Sequence, residues 1–116
     1  MAKPLISAVI NTKNAAKTLE AALSSLTSFV DEIIVVDMGS QDKTVEIAKK
    51  FSARIFSYQP LEFADPARAY AASLATSPWV FSLDADEVVP PTLAKKIVEV
   101  LDHQPSTVVG FRMARK

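Results

Sequence analysis

The tetrapeptide Ile33-Ile34-Val35-Val36 is apolar and β-branched at every position. A strand with one wet face alternates apolar and polar side chains, so this one needs cover on both faces, as in a parallel sheet between helices. The rest of the chain follows that demand. Leu5 to Ile10 is a first run of strand length, ended by Asn11-Thr12-Lys13-Asn14. Beyond it Ala15, Leu19, Ala22, Leu23 and Leu26 fall on one helical stripe, with Asn14 as the expected N-cap. After Asp37-Met38-Gly39-Ser40 a second helix, capped by Ser40 or Asp42, turns Val45, Ala48 and Phe51 inward. Arg54 to Tyr58 is a third, weaker strand, and a loop over Gln59 to Asp65 leads to a helix carrying Tyr70, Ala71, Leu74 and Ala75. Trp79 to Leu83 is the fourth strand. The helix after Pro90-Pro91 carries Ala94, Ile97, Val98 and Leu101 and ends near Asp102 to Pro105, and Thr107 to Met113 reads as a last strand.

This order predicts an α/β domain over residues 1–116, an open, mostly parallel sheet with helices on both faces. A chain of 116 residues has room for one such core and not for two. Thirteen basic and thirteen acidic residues cancel, which argues against nucleic acid or an anionic membrane as partner. Cysteine is absent, so disulfides and thiolate chemistry are excluded and any metal must be held by oxygen. No apolar run reaches the roughly 20 residues that span a bilayer. Asn11 interrupts the N-terminal apolar run too early for a signal-peptide core, and the expected location is cytoplasmic.

In open sheets of this kind ligands gather outside the C-terminal strand ends, where strand order reverses. Asn11-Thr12, Asp37 and Asp84-Ala85-Asp86-Glu87 each follow an expected strand, so three segments converge on one rim. Crowded carboxylates require solvent or a cation to compensate their charge. Two readings of the acids are therefore open, a solvated loop or a site. With strand geometry maintained, Asp84 and Asp86 point to the same side and share one ligand. Oxygen-only ligation suits Mg²⁺ or Mn²⁺, commonly held by carboxylates together with substrate phosphates, which implies a diphosphate substrate. The D-x-D tripeptide arises often by chance. Its place on the rim beside Asp37 is what favours a site.

The segments ISAVINTKN, VDEIIVVDMGSQDKTVEIAKKF and ARAYAASLATSPWVFSLDADE resemble, in order and spacing, the nucleotide-binding half of family 2 glycosyltransferases, which have the GT-A, Rossmann-like fold. The resemblance covers nearly the whole chain. It implies sugar transfer from a nucleotide-diphosphate sugar to an acceptor hydroxyl with inversion, a Mg or Mn ion stabilising the departing diphosphate. In the family the first strand ends in a proline-threonine-tyrosine-asparagine turn at the nucleobase. Thr12 and Asn14 match it, whereas Asn11 and Lys13 depart, which leaves no tyrosine to stack on the base. Asp37 corresponds to the acid that contacts uracil or another base. Arg68 matches an arginine that reaches the base or a phosphate, with a solvated surface charge as the alternative, and Ala69 stands where an asparagine often follows. For the acidic motif the resemblance implies Asp84 on the ribose or the metal-bound diphosphate, Ala85 close to the nucleotide sugar and Asp86 as direct metal ligand. Glu87 is read as a solvated flank. The VDEIIVVD and LDADE variants look most like bacterial members that build cell-surface polysaccharide or lipopolysaccharide.

An inverting transfer needs a general base, which in the resembled family lies with most of the acceptor site in a second half of roughly a further hundred residues. No residue here is assigned that role. The end of the chain, VVGFRMARK, reads as a strand leading onward. The expectation is the donor-binding piece of a longer transferase or a short relative, unable to complete transfer alone and self-associating through the surface left by the missing half. Three rivals remain. A receiver-like regulatory domain needs an acidic pair where Asn11 and Thr12 stand, and a nucleotidyltransferase needs a glycine-rich loop that Gly39 and Gly110 do not make. The third is a non-catalytic nucleotide-binding scaffold. His103, the single histidine, is read as supporting a helix end, Trp79 as packing, and Lys49-Lys50 and Lys95-Lys96 as wet helix faces.

Overall fold

In the computed structural model, which describes residues 5–57, 73–103 and 113–115, Ile34, Val35 and Val36 are fully buried, as an all-apolar strand requires. They belong to β2 (Glu32–Asp37), which pairs in parallel with β1 (Ile6–Thr12) on one side and β3 (Arg54–Ser57) on the other. β4 (Trp79–Ser82) lies parallel to β1 on its far side, and β5 (Met113–Arg115) runs antiparallel beside β4. The order is β3-β2-β1-β4-β5, so the strand sequence reverses between β1 and β4. The expected parallel sheet is present. The described final strand starts at Met113, while residues 107–112 lie outside the described residues; the pattern had given its strand character but not its antiparallel direction.

Alternation along each strand divides the core in two. One face carries Ile6, Ala8 and Ile10 of β1, Ile33 and Val35 of β2, and Phe81 of β4. It is covered by Leu19, Ala22, Leu23 and Leu26 of α1 (Leu19–Leu26), by Ala48 of α2 (Thr44–Lys49), and by Ala94, Ile97 and Leu101 of α3 (Pro91–His103). Trp79 is buried in the same cluster, a packing residue. The other face carries Val9, Ile34, Val36 and Val80, against which Leu74 and Ala75 pack. Each fully buried leucine of α1 contributes about 2 kcal/mol by its removal from water. Lys49, Lys50, Lys95 and Lys96 are exposed.

Local cap expectations fared less well. Asn14 does not cap α1; it sits at φ 52° in a left-handed turn, and α1 begins at Leu19 after Thr18, which makes no side-chain cap bond. Asparagine tolerates this conformation, and its side chain is drawn to a partner in a distant loop. β1 also continues through Asn11 and Thr12, opposite Val36 and Asp37, beyond the apolar run expected to end it. At α2 the cap position falls to Lys43, which makes no side-chain cap bond, so neither Ser40 nor Asp42 is the N-cap; Asp42, one residue earlier, accepts the Thr44 amide at 3.0 Å. Phe51 packs on the core while Val45 is only half-buried. Ser73 and Leu74 are helical; Tyr58, the loop over 59–65, Arg68, Tyr70 and Ala71 lie outside the described residues.

The N-terminal strand ends are held by one carboxylate. Glu32 Oε1 accepts the Ser7 hydroxyl at 2.7 Å and the Thr76 amide at 3.0 Å and hydroxyl at 3.1 Å. Its Oε2 accepts Arg54 Nη1 at 2.9 Å. Arg54 also donates to the Leu74 carbonyl at 3.2 Å, and its guanidinium lies 5.3 Å over the Phe56 ring. Burial alone would push the Glu32 carboxyl up. The Thr76 amide, Ser7, Arg54 and the Thr76 hydroxyl outweigh it and hold the group at about 2.

Candidate functional site

The strand-order reversal opens a cleft of about 420 Å³ at the C-terminal rim, between the ends of β1 and β4. Its walls include Thr12, Lys13 and Asn14 from the β1 end and Asp84, Ala85 and Asp86 from the β4 end. Five of the expected site residues, Thr12, Asn14, Asp84, Ala85 and Asp86, thus meet in one place. Asp37 stands beside them as the β2 partner of Thr12. Arg68 lies outside the described residues.

The wall formed by the β1 and β2 ends is cross-braced. Met38 donates its amide to the Thr12 carbonyl at 2.9 Å, and Asn14 donates its own to the Ser40 hydroxyl at 2.8 Å. Asn14 Oδ1 accepts the Gln41 amide at 2.7 Å. The Ala15 amide donates to Thr44 Oγ1 at 2.9 Å, and the Ala16 amide to Asp42 Oδ2 at 3.2 Å. Thr44 Oγ1 in turn donates to Asp42 Oδ1. The Thr44 hydroxyl, helped by the Thr44 and Ala16 amides, holds the Asp42 carboxyl below the usual carboxylate range. Gly39, at φ 91°, makes the tight turn that this bracing requires. Asn14 and Asp42 are therefore fixed parts of the wall.

Three buried oxygens on this rim have no hydrogen-bond partner among the described residues, namely Asn11 Oδ1, Thr12 Oγ1 and Asp37 Oδ1. Asp37 is only 6% exposed, and its other oxygen accepts the Ser40 amide at 3.0 Å. A buried acceptor without a donor costs about 1–3 kcal/mol, so folded proteins rarely leave one without a use for it. Asn11 and Thr12 line the cleft, and Asp37 lies next to Thr12 on the same face of the sheet, while Asn11, one residue earlier in the strand, takes the opposite face.

The acidic side differs from expectation. Strand geometry ends at Ser82, and the last rung toward β1 is the Leu83 amide on the Val9 carbonyl at 3.1 Å. Asp84 to Glu87 then form a turn, so the premise that puts Asp84 and Asp86 on one side of a strand fails. The turn still lines the cleft with both. It is closed by the Glu87 amide on the Asp84 carbonyl at 3.0 Å and by the Asp84 amide on Glu87 Oε1 at 2.9 Å. Glu87 is half-buried and bonded back into the turn, not a solvated flank. The signal available for it was the D-x-x-E spacing, in which a glutamate reaches back three residues to an amide.

These donors are hard oxygens at a cleft large enough for a ligand, and that set suits Mg²⁺ or Mn²⁺. Among the described residues no group of three or more acidic or histidine side chains could hold a metal by itself. The arrangement fits an ion that completes its shell with phosphate oxygens and water. A second cleft, of about 550 Å³, lies at the opposite strand ends around Glu32, Arg54 and Thr76. The Glu32 oxygens there are already occupied by the chain's own donors. Among the described residues no helix is long and apolar enough to cross a membrane.

The comparisons with known proteins agree with this geometry. Residues 7–116 match the model of the family described as glycosyl transferase family 2. An uncharacterized glycosyltransferase of Rickettsia felis is 38% identical over 98 residues, 84% of this chain and 33% of its own length. Mannosyl-3-phosphoglycerate synthase from Rubrobacter xylanophilus superposes with a TM-score of 0.72 at 25% identity, over 88% of this chain and 37% of that one. Glucosyl-3-phosphoglycerate synthase from Mycobacterium tuberculosis, solved with Mn²⁺, UDP and glucosyl-3-phosphoglycerate, gives 0.70 at 26% identity, over 85% of this chain and 40% of that one. The chain spans about a third of the length of the Rickettsia relatives.

Proposed function

The chain belongs to glycosyl transferase family 2, with the GT-A, Rossmann-like architecture, and from that premise we propose that it binds a nucleotide-diphosphate sugar across the C-terminal rim. It is the donor-binding part of a transferase that moves the sugar to an acceptor hydroxyl with inversion. The observation that carries the reading is the meeting of the Asp84-Asp86 turn with Asn11 and Thr12, each with a buried unpartnered oxygen, in the cleft at the β1–β4 reversal, with Asp37 next to Thr12 on β2.

Each group has a task that its chemistry suits. Asp37 Oδ1, buried and without a donor, accepts an N–H from the nucleobase, with Thr12 Oγ1 beside it. Asn14 holds the wall against which the base rests, and Arg68 supplies positive charge to the base or a phosphate. Asp84 takes the ribose or the metal-bound diphosphate, Ala85 lets the nucleotide sugar come close, and Asp86 ligates Mg²⁺ or Mn²⁺. The ion, when bound, stabilises negative charge on the departing diphosphate. No residue of this chain is placed as the general base, so the reading includes donor binding without completed transfer. A cytoplasmic location, a single donor-binding domain over residues 1–116 and self-association belong to the same proposal.

Calorimetry with UDP, GDP and their sugars, with and without Mn²⁺, tests it on the wild type and on Asp86→Ala. The expected result is Mn²⁺-dependent binding that the substitution weakens by at least about tenfold, since even the outer-shell partners of a metal ligand are worth about 10–100-fold in metal affinity. Binding that ignores Mn²⁺, or that survives Asp86→Ala unchanged, overturns the site.

A further inference from the structure

Beyond the assigned site groups, we propose that Glu87 is a positioning residue for the Asp84-Asp86 pair, fixing the turn from which both carboxylates are presented. The inference rests on the metal-site reading above. The segment is anchored at both ends. Upstream the Leu83 amide is held by Val9 of β1 at 3.1 Å, and downstream the Val89 amide is held by Ser25 Oγ of α1 at 3.0 Å. Val89 is buried, while Val88 beside it is 55% exposed, so the chain is packed down again at 89. Between the anchors lies a stretch without ladder pairing that must still hold two carboxylates in a fixed relation.

Glu87 closes that stretch twice. Its amide donates to the Asp84 carbonyl at 3.0 Å, and its Oε1 accepts the Asp84 amide at 2.9 Å. The side-chain bond fixes the peptide plane entering Asp84, and the backbone bond fixes the plane leaving Asp84; Ala85 and Asp86 are the turn between. A hydrogen bond to a carboxylate is stronger than one to a neutral acceptor, and this one spans the whole turn. Glu87 nevertheless adds a third negative charge to a crowded place. Two roles are thus separable, the reach of its oxygen and its charge on the cation. Reach is the one the geometry favours, because both bonds run to the Asp84 backbone and order the pair before any ion arrives.

Two variants separate these roles. Glu87→Gln keeps the accepting oxygen and discards the charge. Glu87→Asp keeps the charge but is one methylene shorter and loses the reach. Mn²⁺ alone is titrated into the 116-residue chain and followed by electron paramagnetic resonance, amide exchange at Asp84 is followed by NMR, and thermal unfolding monitors the fold. Glu87→Asp is expected to weaken Mn²⁺ binding about tenfold and to speed exchange of the Asp84 amide. Glu87→Gln is expected to stay within about twofold of the wild type on both readouts, because it keeps at the same reach an oxygen that can accept the Asp84 amide. If the glutamine variant loses Mn²⁺ affinity while the aspartate variant keeps it, charge is the operative property and the positioning role falls. Wild-type affinity and exchange in both variants also overturn it while leaving the metal reading intact. A wild type that binds no Mn²⁺ overturns the metal reading, and the inference with it.

Discussion

Glu32→Ala is expected to lower the unfolding free energy by about 3 kcal/mol at neutral pH, since hydrogen bonds to a charged acceptor are worth about 1.5–3 kcal/mol each and several are lost together. Ser7, Thr76 and Arg54 would lose their shared acceptor, and with it the tie among β1, β2, β3 and the segment entering β4. Arg54 contributes less than a buried partner would, because its side chain is 45% exposed and solvent screens the pair. The pH dependence has a definite sign. Folding lowers the Glu32 carboxyl from 4.5 to about 2, so its contribution is fully present above pH 4.5 and is lost as pH falls through about 2. In that window the folded chain binds fewer protons than the unfolded one, and stability rises with pH. The full shift corresponds to about 3 kcal/mol, and roughly 2 kcal/mol after screening. Urea unfolding of wild type and variant between pH 2 and 6 should give curves that converge toward acid. Curves that stay parallel would remove Glu32 from this role.

Why the sheet was legible and parts of the site were not comes down to where each partner lies in the sequence. Ile33 to Val36 carries its own instruction, since four consecutive apolar, β-branched residues suit a strand covered on both faces. The α1 stripe at Leu19, Ala22, Leu23 and Leu26 is likewise local, and all four are buried. The convergence of Thr12, Asp37 and the acidic turn on one rim followed from strand ends alone. Asn14 failed as a cap because its partners, Ser40 and Gln41, lie 26 and 27 residues away, and those bonds fix a turn where a local reading sees a helix start. Asp84 and Asp86 departed from strand alternation because Glu87 competes for the Asp84 amide as the ladder ends. Glu32 carried no visible sign of its role, since Ser7 and Thr76 reach it from 25 and 44 residues away. Periodicity reports which face a side chain takes. Long-range acceptors have no period, and so they were missed.

Asp37→Asn is expected to weaken UDP binding about a hundredfold while raising the stability of the chain by about 1 kcal/mol, a trade that a purely structural aspartate would not make. The side chain is 6% exposed, one oxygen serves the Ser40 amide at 3.0 Å, and the other is buried without a donor. In the free chain this is a costly arrangement, because a buried charge is half-satisfied beside the equally unpartnered Thr12 hydroxyl. Asparagine removes the charge and keeps one acceptor. That single oxygen serves either Ser40 or a nucleobase N–H, but not both, and a hydrogen bond to a charged acceptor is lost in either case. A hundredfold loss corresponds to about 2.7 kcal/mol, within the range for such a bond. Urea unfolding and titration of UDP in the presence of Mn²⁺, on the same preparations, read both quantities. If stability and affinity fall together, the carboxylate is holding the turn at Ser40 and the base must be read elsewhere. If stability rises as affinity falls, the unpartnered oxygen is kept at a cost to the fold because a ligand supplies its missing donor.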